Sequence, residues 1–203
     1  MHKIASIVAA FLVSGNIAAN ASPYVVTLEE VGSNVVATGS GNIDLTGLTL
    51  SGNVPNENSG VVPNLARLAV GGSSFTDLYS PSAPFSGPSS FGPGSSLTNA
   101  NSESGSWVAL GVFPNNEIGV PTGYSSDSPL GNSTAIYNNA TFASLGVTPG
   151  IYLWTWGNRP DQRFELDIGV TAVPEPVAAP LFAAGLAALG LLHWRRKRKA
   201  QAI

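Results

Sequence analysis

The residues that could do chemistry in this chain are mostly acids, because histidine is rare and cysteine is absent. The two histidines, His2 and His193, lie close to the two ends of the chain. A Ser-His-Asp triad or a cysteine nucleophile cannot be built in the central part, which also lacks histidine as a metal ligand. We expect no catalytic residue, no metal site and no cofactor.

Eleven acidic residues in the segment 22–173 leave two alternatives open. Two carboxylates could serve a glycosidase, and Asp and Asn side chains in loops could bind calcium. Most of these acids, however, lie in alternating strands or in turns, where contact with water explains them, and no repeat like the EF-hand loop occurs. The sequence therefore favours a protein that is not an enzyme.

Three aromatic residues at every second position are the sharpest local feature of the central part. Tyr152, Trp154 and Trp156 would lie on one face of a strand, with Ile151 and Leu153 on the other. The rings could form a stacking platform for sugars, or they could be the core face of the strand. We favour the core because that is the more usual place of a tryptophan in a strand, and glycan stacking is the alternative.

Charge is distributed unevenly along the chain. The segment 22–173 contains three basic and eleven acidic residues, a net charge of −8, whereas five basic residues follow one another at 195–199. An acidic segment of this size repels phosphate backbones, and we expect no nucleic-acid partner.

The first 21 residues, MHKIASIVAAFLVSGNIAANA, have the three parts of a secretory signal peptide. Lys3 precedes the apolar stretch 4–13, which is too short to span a bilayer because spanning takes about 20 residues. Small residues, Ala19 and Ala21, stand where the signal peptidase requires them. We predict a signal-peptide helix that is cut between Ala21 and Ser22.

A second apolar segment, residues 177–194, contains no charged side chain. Its 18 residues would extend about 27 Å as a helix, enough for a thin bilayer core. The basic residues that follow would stop transfer and stay in the cytoplasm. They are Arg195, Arg196, Lys197, Arg198 and Lys199. The sequence thus predicts a C-terminal transmembrane helix with the body of the protein outside.

A rigid tetrapeptide, Val173-Pro174-Glu175-Pro176, directly precedes this apolar segment. The two prolines keep the backbone extended and remove helical hydrogen bonds. Glu175 keeps the tetrapeptide in water. An extended segment of this kind, close to the membrane surface, suits the substrate groove of a protease.

Taken together, the motif at 173–176, the apolar segment at 177–194 and the basic residues at 195–199 resemble the PEP-CTERM sorting signal of Gram-negative surface proteins. The stretch TFASLGVTPGIYLWTWG (141–157) also resembles one that recurs in such proteins. The resemblance implies recognition and cleavage by an exosortase. It implies a precursor in the inner membrane with its body in the periplasm, and a mature form in the cell envelope or outside the cell.

Two functions are compatible with this resemblance. The first is a non-enzymatic cell-surface or extracellular-matrix protein. The alternative is a carbohydrate-binding module, because the family is associated with exopolysaccharide and biofilms, which makes exopolysaccharide a candidate partner.

The body at 22–172 is predicted to be an all-β, antiparallel β-sandwich, since short alternating segments are separated by turns. A hairpin is expected around Gly32-Ser33-Asn34, and a helical turn at 140–145. Further strands are predicted at 43–50, 65–70, 107–113, 151–156 and 163–170. Phe164, Leu166 and Ile168 should face the core.

The segment 71–106 is rich in Gly, Ser and Pro, a composition typical of unstructured chain. Four aromatic residues, Phe75, Tyr79, Phe85 and Phe91, are spread through it. We predict a long surface loop held by aromatic anchors, with a free linker as the alternative.

Overall fold

The computed structural model of the chain describes residues 22–55, 58–72, 75–112 and 116–170. These residues belong to one compact unit, Met1–Val170, of the two that make up the chain. They form short strands, one 3-10 turn at Pro63–Leu65 and one helix. The strands are β1 (Tyr24–Val31), β2 (Asn34–Ser40), β3 (Leu48–Val54), β4 (Gly60–Val62), β5 (Arg67–Val70), β6 (Thr76–Pro81), β7 (Thr98–Asn99), β8 (Ser102–Ser104), β9 (Val108–Val112), β10 (Glu117–Pro121), β11 (Ser133–Tyr137), β12 (Gly150–Thr155) and β13 (Arg163–Ile168), and the helix is α1 (Phe142–Leu145).

The strands form two sheets. The first has the order β12-β13-β1-β2-β11-β8, and the second has the order β3-β6-β10-β9-β5-β4-β7. One large apolar cluster contains side chains of both sheets, including Val26 and Leu28 of β1 and Leu110 of β9. Because each sheet buries a face in this cluster, the predicted all-β, sandwich-like body is confirmed.

One strand pair differs from the predicted antiparallel arrangement. β1 and β13 are parallel, with Tyr24 opposite Phe164 and Leu28 opposite Ile168. β13 makes an antiparallel hairpin with β12 on one side and meets the first strand of the body on the other. The first and last strands are therefore neighbours in the interior of the first sheet.

The local hairpins agree with the sequence prediction. β1 and β2 are joined at Gly32 and Ser33, and β12 and β13 form the last hairpin. Phe164, Leu166 and Ile168 are fully buried, as their alternation predicted. The helical turn predicted at 140–145 is α1, capped by Thr141, whose hydroxyl accepts a hydrogen bond from the Ser144 backbone N–H.

The strand predicted at 43–50 is shifted. Residues 43–45 form no strand, and β3 begins at Leu48. The reason lies in Ile43 and Asp44, which are both fully buried and are held by side chains from another loop rather than by a neighbouring strand. The alternation of apolar and polar residues that predicted a strand here reflects the burial of Ile43 and Asp44 instead.

The segment 71–106 contains β6, β7 and β8, so where the structure describes it, this is not a free linker. Phe91 is buried, Phe85 packs partly against the core, and Tyr79 lies in β6. Phe75 is instead 59% exposed. Aromatic anchoring is thus confirmed for the middle of the segment and wrong for Phe75.

Candidate functional site

The aromatic residues of β12 face the interior. Trp154 is 3% exposed, and its indole Nε1 donates a hydrogen bond to the Pro88 backbone oxygen at 2.8 Å. Its ring meets Phe91 and Phe164 edge-on, with both centroids 6.4 Å away. Trp154 therefore occupies the core position that we favoured, and its ring is not free to stack on a sugar.

Tyr152 and Trp156 are half-buried and are also committed to contacts inside the body. The Tyr152 hydroxyl donates to the Thr148 backbone oxygen at 2.9 Å, and the Trp156 Nε1 donates to the Asp44 backbone oxygen at 2.9 Å. The opposite side of β12 is the exposed one, with Ile151 63% exposed. Glycan stacking on Tyr152 and Trp156 stays a prediction.

A groove of about 370 Å³ runs beside Trp154. Its wall includes Leu65, Phe85 and Pro88, and Arg67 is the charged residue in it. Of the three predicted stacking residues, Trp154 lines this groove, whereas Tyr152 and Trp156 are not among its lining residues.

Three carboxylates lie close together in the part of the chain that the structure describes. Asp44 follows β2, Asp127 lies between β10 and β11, and Asp161 lies in the turn between β12 and β13. One carboxylate oxygen from each lies within 4.8 Å of the others. We call these residues the carboxylate cluster.

Sheet pairing explains how residues so far apart in sequence meet. Thr155 is opposite Arg163, Gly39 is opposite Ser133, and β2 and β13 flank β1. The loops that carry the three acids therefore all leave the same end of the first sheet. The cluster is a consequence of strand order.

Asp44 is the buried member of the cluster. Its side chain has no exposed surface, and its Oδ1 accepts hydrogen bonds from the Thr46 backbone N–H at 2.8 Å and the Ser126 hydroxyl at 3.2 Å. Its Oδ2 receives no hydrogen bond from any described residue. That oxygen forms an ion pair with the Arg159 Nε, 3.5 Å away.

Asp127 is held by its backbone rather than by its carboxylate. Its backbone N–H donates to the Ile43 oxygen at 3.0 Å, and its backbone oxygen accepts from the Asn42 Nδ2 at 3.1 Å. Its Oδ1 is buried without a hydrogen-bond partner among the described residues. Burial raises the pKa of Asp127, and the negative charges of Asp44 and Asp161 raise it further.

Asp161 is paired with Arg159. The guanidinium donates from Nε at 3.1 Å and from the second terminal nitrogen at 2.8 Å, one bond to each carboxylate oxygen. These bonds lower the pKa of Asp161 and raise that of Arg159. The Arg159 side chain is 56% exposed, so this ion pair is open to water.

The loops behind the cluster are joined by hydrogen bonds. The Tyr124 hydroxyl accepts from the Ile43 backbone N–H at 2.9 Å and donates to the Ser128 oxygen at 2.7 Å. The Ser126 hydroxyl accepts from the Leu45 backbone N–H at 2.8 Å. The carboxylates are thus presented by a firmly connected frame.

This arrangement does not suit a two-carboxylate glycosidase. Such enzymes place their carboxyl groups about 5–9.5 Å apart, on either side of a substrate bond. Here the oxygens crowd within 4.8 Å and Asp44 has no exposed surface. What the cluster can offer is a set of oxygen ligands for a cation.

The sequence did not predict this cluster. Its three acids are separated by 83 and 34 positions. Asp127 and Asp161 stand in polar stretches where contact with water was sufficient explanation, and Asp44 stands in the segment 43–50 that was predicted as a strand. The open alternative of calcium binding spoke of loop Asp and Asn residues in general and singled out none of these three.

Several predicted segments lie outside the described residues. These are the signal peptide with Ala19 and Ala21, the motif at 173–176, the apolar segment at 177–194 and the basic residues at 195–199. Ser22 is described, and its backbone oxygen accepts a hydrogen bond from the Asn42 backbone N–H at 3.0 Å. Within the described ranges, no helix has the length and apolar character to cross a membrane.

Comparison of the chain with protein-family models, curated proteins and solved structures finds no significant match in any of the three. The resemblance of the C-terminal segment to a sorting signal therefore stays a prediction that rests on its own residues.

Proposed function

We propose that this chain is the precursor of a non-enzymatic cell-surface or extracellular-matrix protein of a Gram-negative bacterium. A signal peptide exports it, the segment 177–194 anchors it in the inner membrane, and an exosortase cuts it at or near 173–176. The body then moves from the periplasm to the cell envelope or beyond.

The observation that supports this proposal most is the agreement between the folded body and the two expected cuts. Near one end of the described body, the Ser22 backbone oxygen accepts a hydrogen bond from the Asn42 N–H, and β1 begins at Tyr24. At the other end, the Gly169 backbone N–H donates to the Leu28 oxygen. Cuts after Ala21 and near Val173 would remove none of the described strands.

The position of the first and last strands adds to this support. Since β1 and β13 are neighbours inside the first sheet, both ends of the body are fixed by backbone pairing. A body closed in this way can lose a leader and an anchor without opening its core. Cleavage would then change where the protein is held and leave its fold as it was.

The experiment is replacement of Pro174, Glu175 and Pro176 by Ala in a host that produces an exosortase. We expect the variant to stay in the membrane fraction as a full-length precursor, because the rigid, acidic motif is lost. Mass spectrometry of the C-terminus, combined with cell fractionation, measures the outcome.

A matched control replaces Thr171 by Ala, which leaves the motif intact and should not affect processing. A wild-type protein that retains Ile203 in this host would contradict the proposal. Equal cleavage of the triple variant and the wild type would also contradict it.

A further inference from the structure

We propose that Asp44, Asp127 and Asp161 bind one calcium ion, which joins three loops at one end of the β body. This inference goes beyond the proposed function, because it concerns the body itself and holds whether or not the chain is processed at 173–176.

The ligand type and spacing fit calcium. Calcium takes six to eight oxygen ligands at about 2.3–2.6 Å, so oxygens on opposite sides of the ion are about 5 Å apart. The three carboxylates each place an oxygen within 4.8 Å of the others. Magnesium needs a tighter octahedron at about 2.0–2.1 Å and keeps more of its water. Three carboxylates from separate loops, completed by water, therefore favour the larger ion.

A second observation is independent of the crowding of charges. The fully buried Asp44 has an Oδ2 without a hydrogen-bond donor, and this oxygen faces the Arg159 Nε, which itself donates to Asp161. The Oδ1 of Asp127 and the Oδ1 of the buried Asn42 also have no hydrogen-bond partner among the described residues. Buried acceptors without donors destabilise a fold unless a cation or a water satisfies them.

The net charge of the carboxylate cluster and Arg159 matches one divalent cation. Three carboxylates and the Arg159 guanidinium together carry −2, which one calcium ion neutralises. Arg159 contacts Asp44 only at 3.5 Å, and more than half of its side chain is exposed. A carboxylate has about four lone-pair sites, so Asp161 can keep its ion pair with Arg159 and still offer an oxygen to an ion bound by Asp44 and Asp127.

Hydrogen bonds already connect the three loops that carry Asp44, Asp127 and Asp161. Tyr124 and Ser126 tie the loop of Asp127 to the loop of Asp44, and the Gln162 Nε2 donates to the Thr46 oxygen at 2.7 Å and so ties in the loop of Asp161. A prebuilt frame reduces the ordering that binding would otherwise require.

The first test measures the melting temperature of the full-length chain, purified in detergent, with EDTA and then with 10 mM CaCl₂. For a site with a Kd of about 0.1–1 mM, as in extracellular modules, we expect an increase of about 3–8 °C. The same concentration of MgCl₂ should give a clearly smaller increase. No increase with CaCl₂ would overturn the proposal and leave Arg159 as the cation of the cluster, and an equal increase with both salts would overturn the assignment to calcium.

The variant Asp127→Asn tests the residues. It should fold, because Asp127 uses its backbone for its hydrogen bonds and asparagine tolerates the left-handed φ of 62° found there. We expect it to lose the calcium-dependent increase. Asp167→Asn, which removes a half-buried carboxylate of β13 that is not part of the carboxylate cluster, is the matched control and should keep the increase. A full increase in Asp127→Asn would overturn the site. If that variant does not fold, Asp161→Asn takes its place with the same expected loss.

A second readout locates the ion. Tb³⁺ occupies calcium sites and luminesces when a nearby tryptophan is excited. Trp156 is such a neighbour, because its indole N–H donates a hydrogen bond to the Asp44 backbone oxygen. We expect sensitised Tb³⁺ luminescence that CaCl₂ displaces and that Trp156→Phe largely removes. Luminescence that is unchanged in Trp156→Phe would place the ion elsewhere and overturn the assignment.

Discussion

At the scale of single residues, the Gly, Ser and Pro-rich segment depends on Phe91. This side chain is 1% exposed and lies against Tyr152 and Trp154, with ring centroids 6.1 and 6.4 Å away. Its backbone also bonds to distant chain, since its N–H donates to the Pro63 oxygen and its oxygen accepts from the Thr148 N–H. Phe91 is thus the buried aromatic residue of this segment, and it joins the segment to the core.

We predict that Phe91→Ala lowers the free energy of unfolding by about 3–5 kcal/mol, the cost usual for a buried phenylalanine. Phe75→Ala is the matched control in the same segment. Because Phe75 is 59% exposed, we expect a change within about 0.5 kcal/mol. Urea unfolding followed by tryptophan fluorescence measures both. Equal effects of the two variants would mean that Phe91 is not an anchor.

At the scale of elements, β6 illustrates what could and could not be predicted. The hairpins β1–β2 and β12–β13 could be predicted because their alternation and turns are local in sequence. β6, β10 and β11 were missed because each has only five or six residues rich in Ser, Thr, Gly or Pro, and their stability comes from partners far along the chain. The intrinsic β propensities of their residues therefore predict such strands poorly.

Asp77 connects β6 to its surroundings in a way that depends on pH. Its carboxylate accepts hydrogen bonds from the Gly123 backbone N–H at 2.9 Å and from the Asn53 Nδ2 of β3 at 2.8 Å. These bonds hold the pKa of Asp77 below its ordinary value. A lowered pKa means that ionised Asp77 stabilises the fold above the pKa of the unfolded chain, about 3.9, and that this contribution is lost as the pH falls through the folded pKa.

We therefore predict that Asp77→Asn melts at a lower temperature than the wild type at pH 6, and that the difference shrinks as the pH falls below about 4. Asp167→Asn should respond in the opposite direction. Burial and the charge of Glu165 raise the pKa of Asp167, so its ionised form disfavours folding as the pH rises. Differential scanning calorimetry across this range measures both. A difference for Asp77→Asn that does not change with pH would contradict the prediction.

At the scale of the whole molecule, strand order decides what the sequence could not reveal. The all-β class follows from composition and alternation, but the parallel pairing of β1 with β13 joins residues about 140 positions apart and has no local signal. The same order brings Asp44, Asp127 and Asp161 together. Asp127 and Asp161 are ordinary polar loop residues in the sequence, and Asp44 lies in a segment that predicts a strand, so their proximity follows from the strand order and has no local signal.

The pairing of the first and last strands also sets the shortest chain that can fold. β13 supplies three fully buried side chains, Phe164, Leu166 and Ile168, and bridges β12 to β1. At about 1.5–3 kcal/mol for each buried side chain, their loss would remove about 5–9 kcal/mol. Whole domains of this size are stable by only about 5–15 kcal/mol.

We predict that a chain of residues 22–172 folds and unfolds cooperatively, whereas a chain of residues 22–162 does not fold. The first retains every described strand, and the second lacks β13 and leaves the open edge of β1 beside a hydrophobic core. Circular dichroism and urea unfolding of the two truncated chains distinguish them. Failure of 22–172 to fold would mean that the body needs residues after 172 for its stability. Cleavage near 173–176 would then remove part of what stabilises the fold, against the prediction. Cooperative unfolding of 22–172 would instead match a body that is complete before it is released.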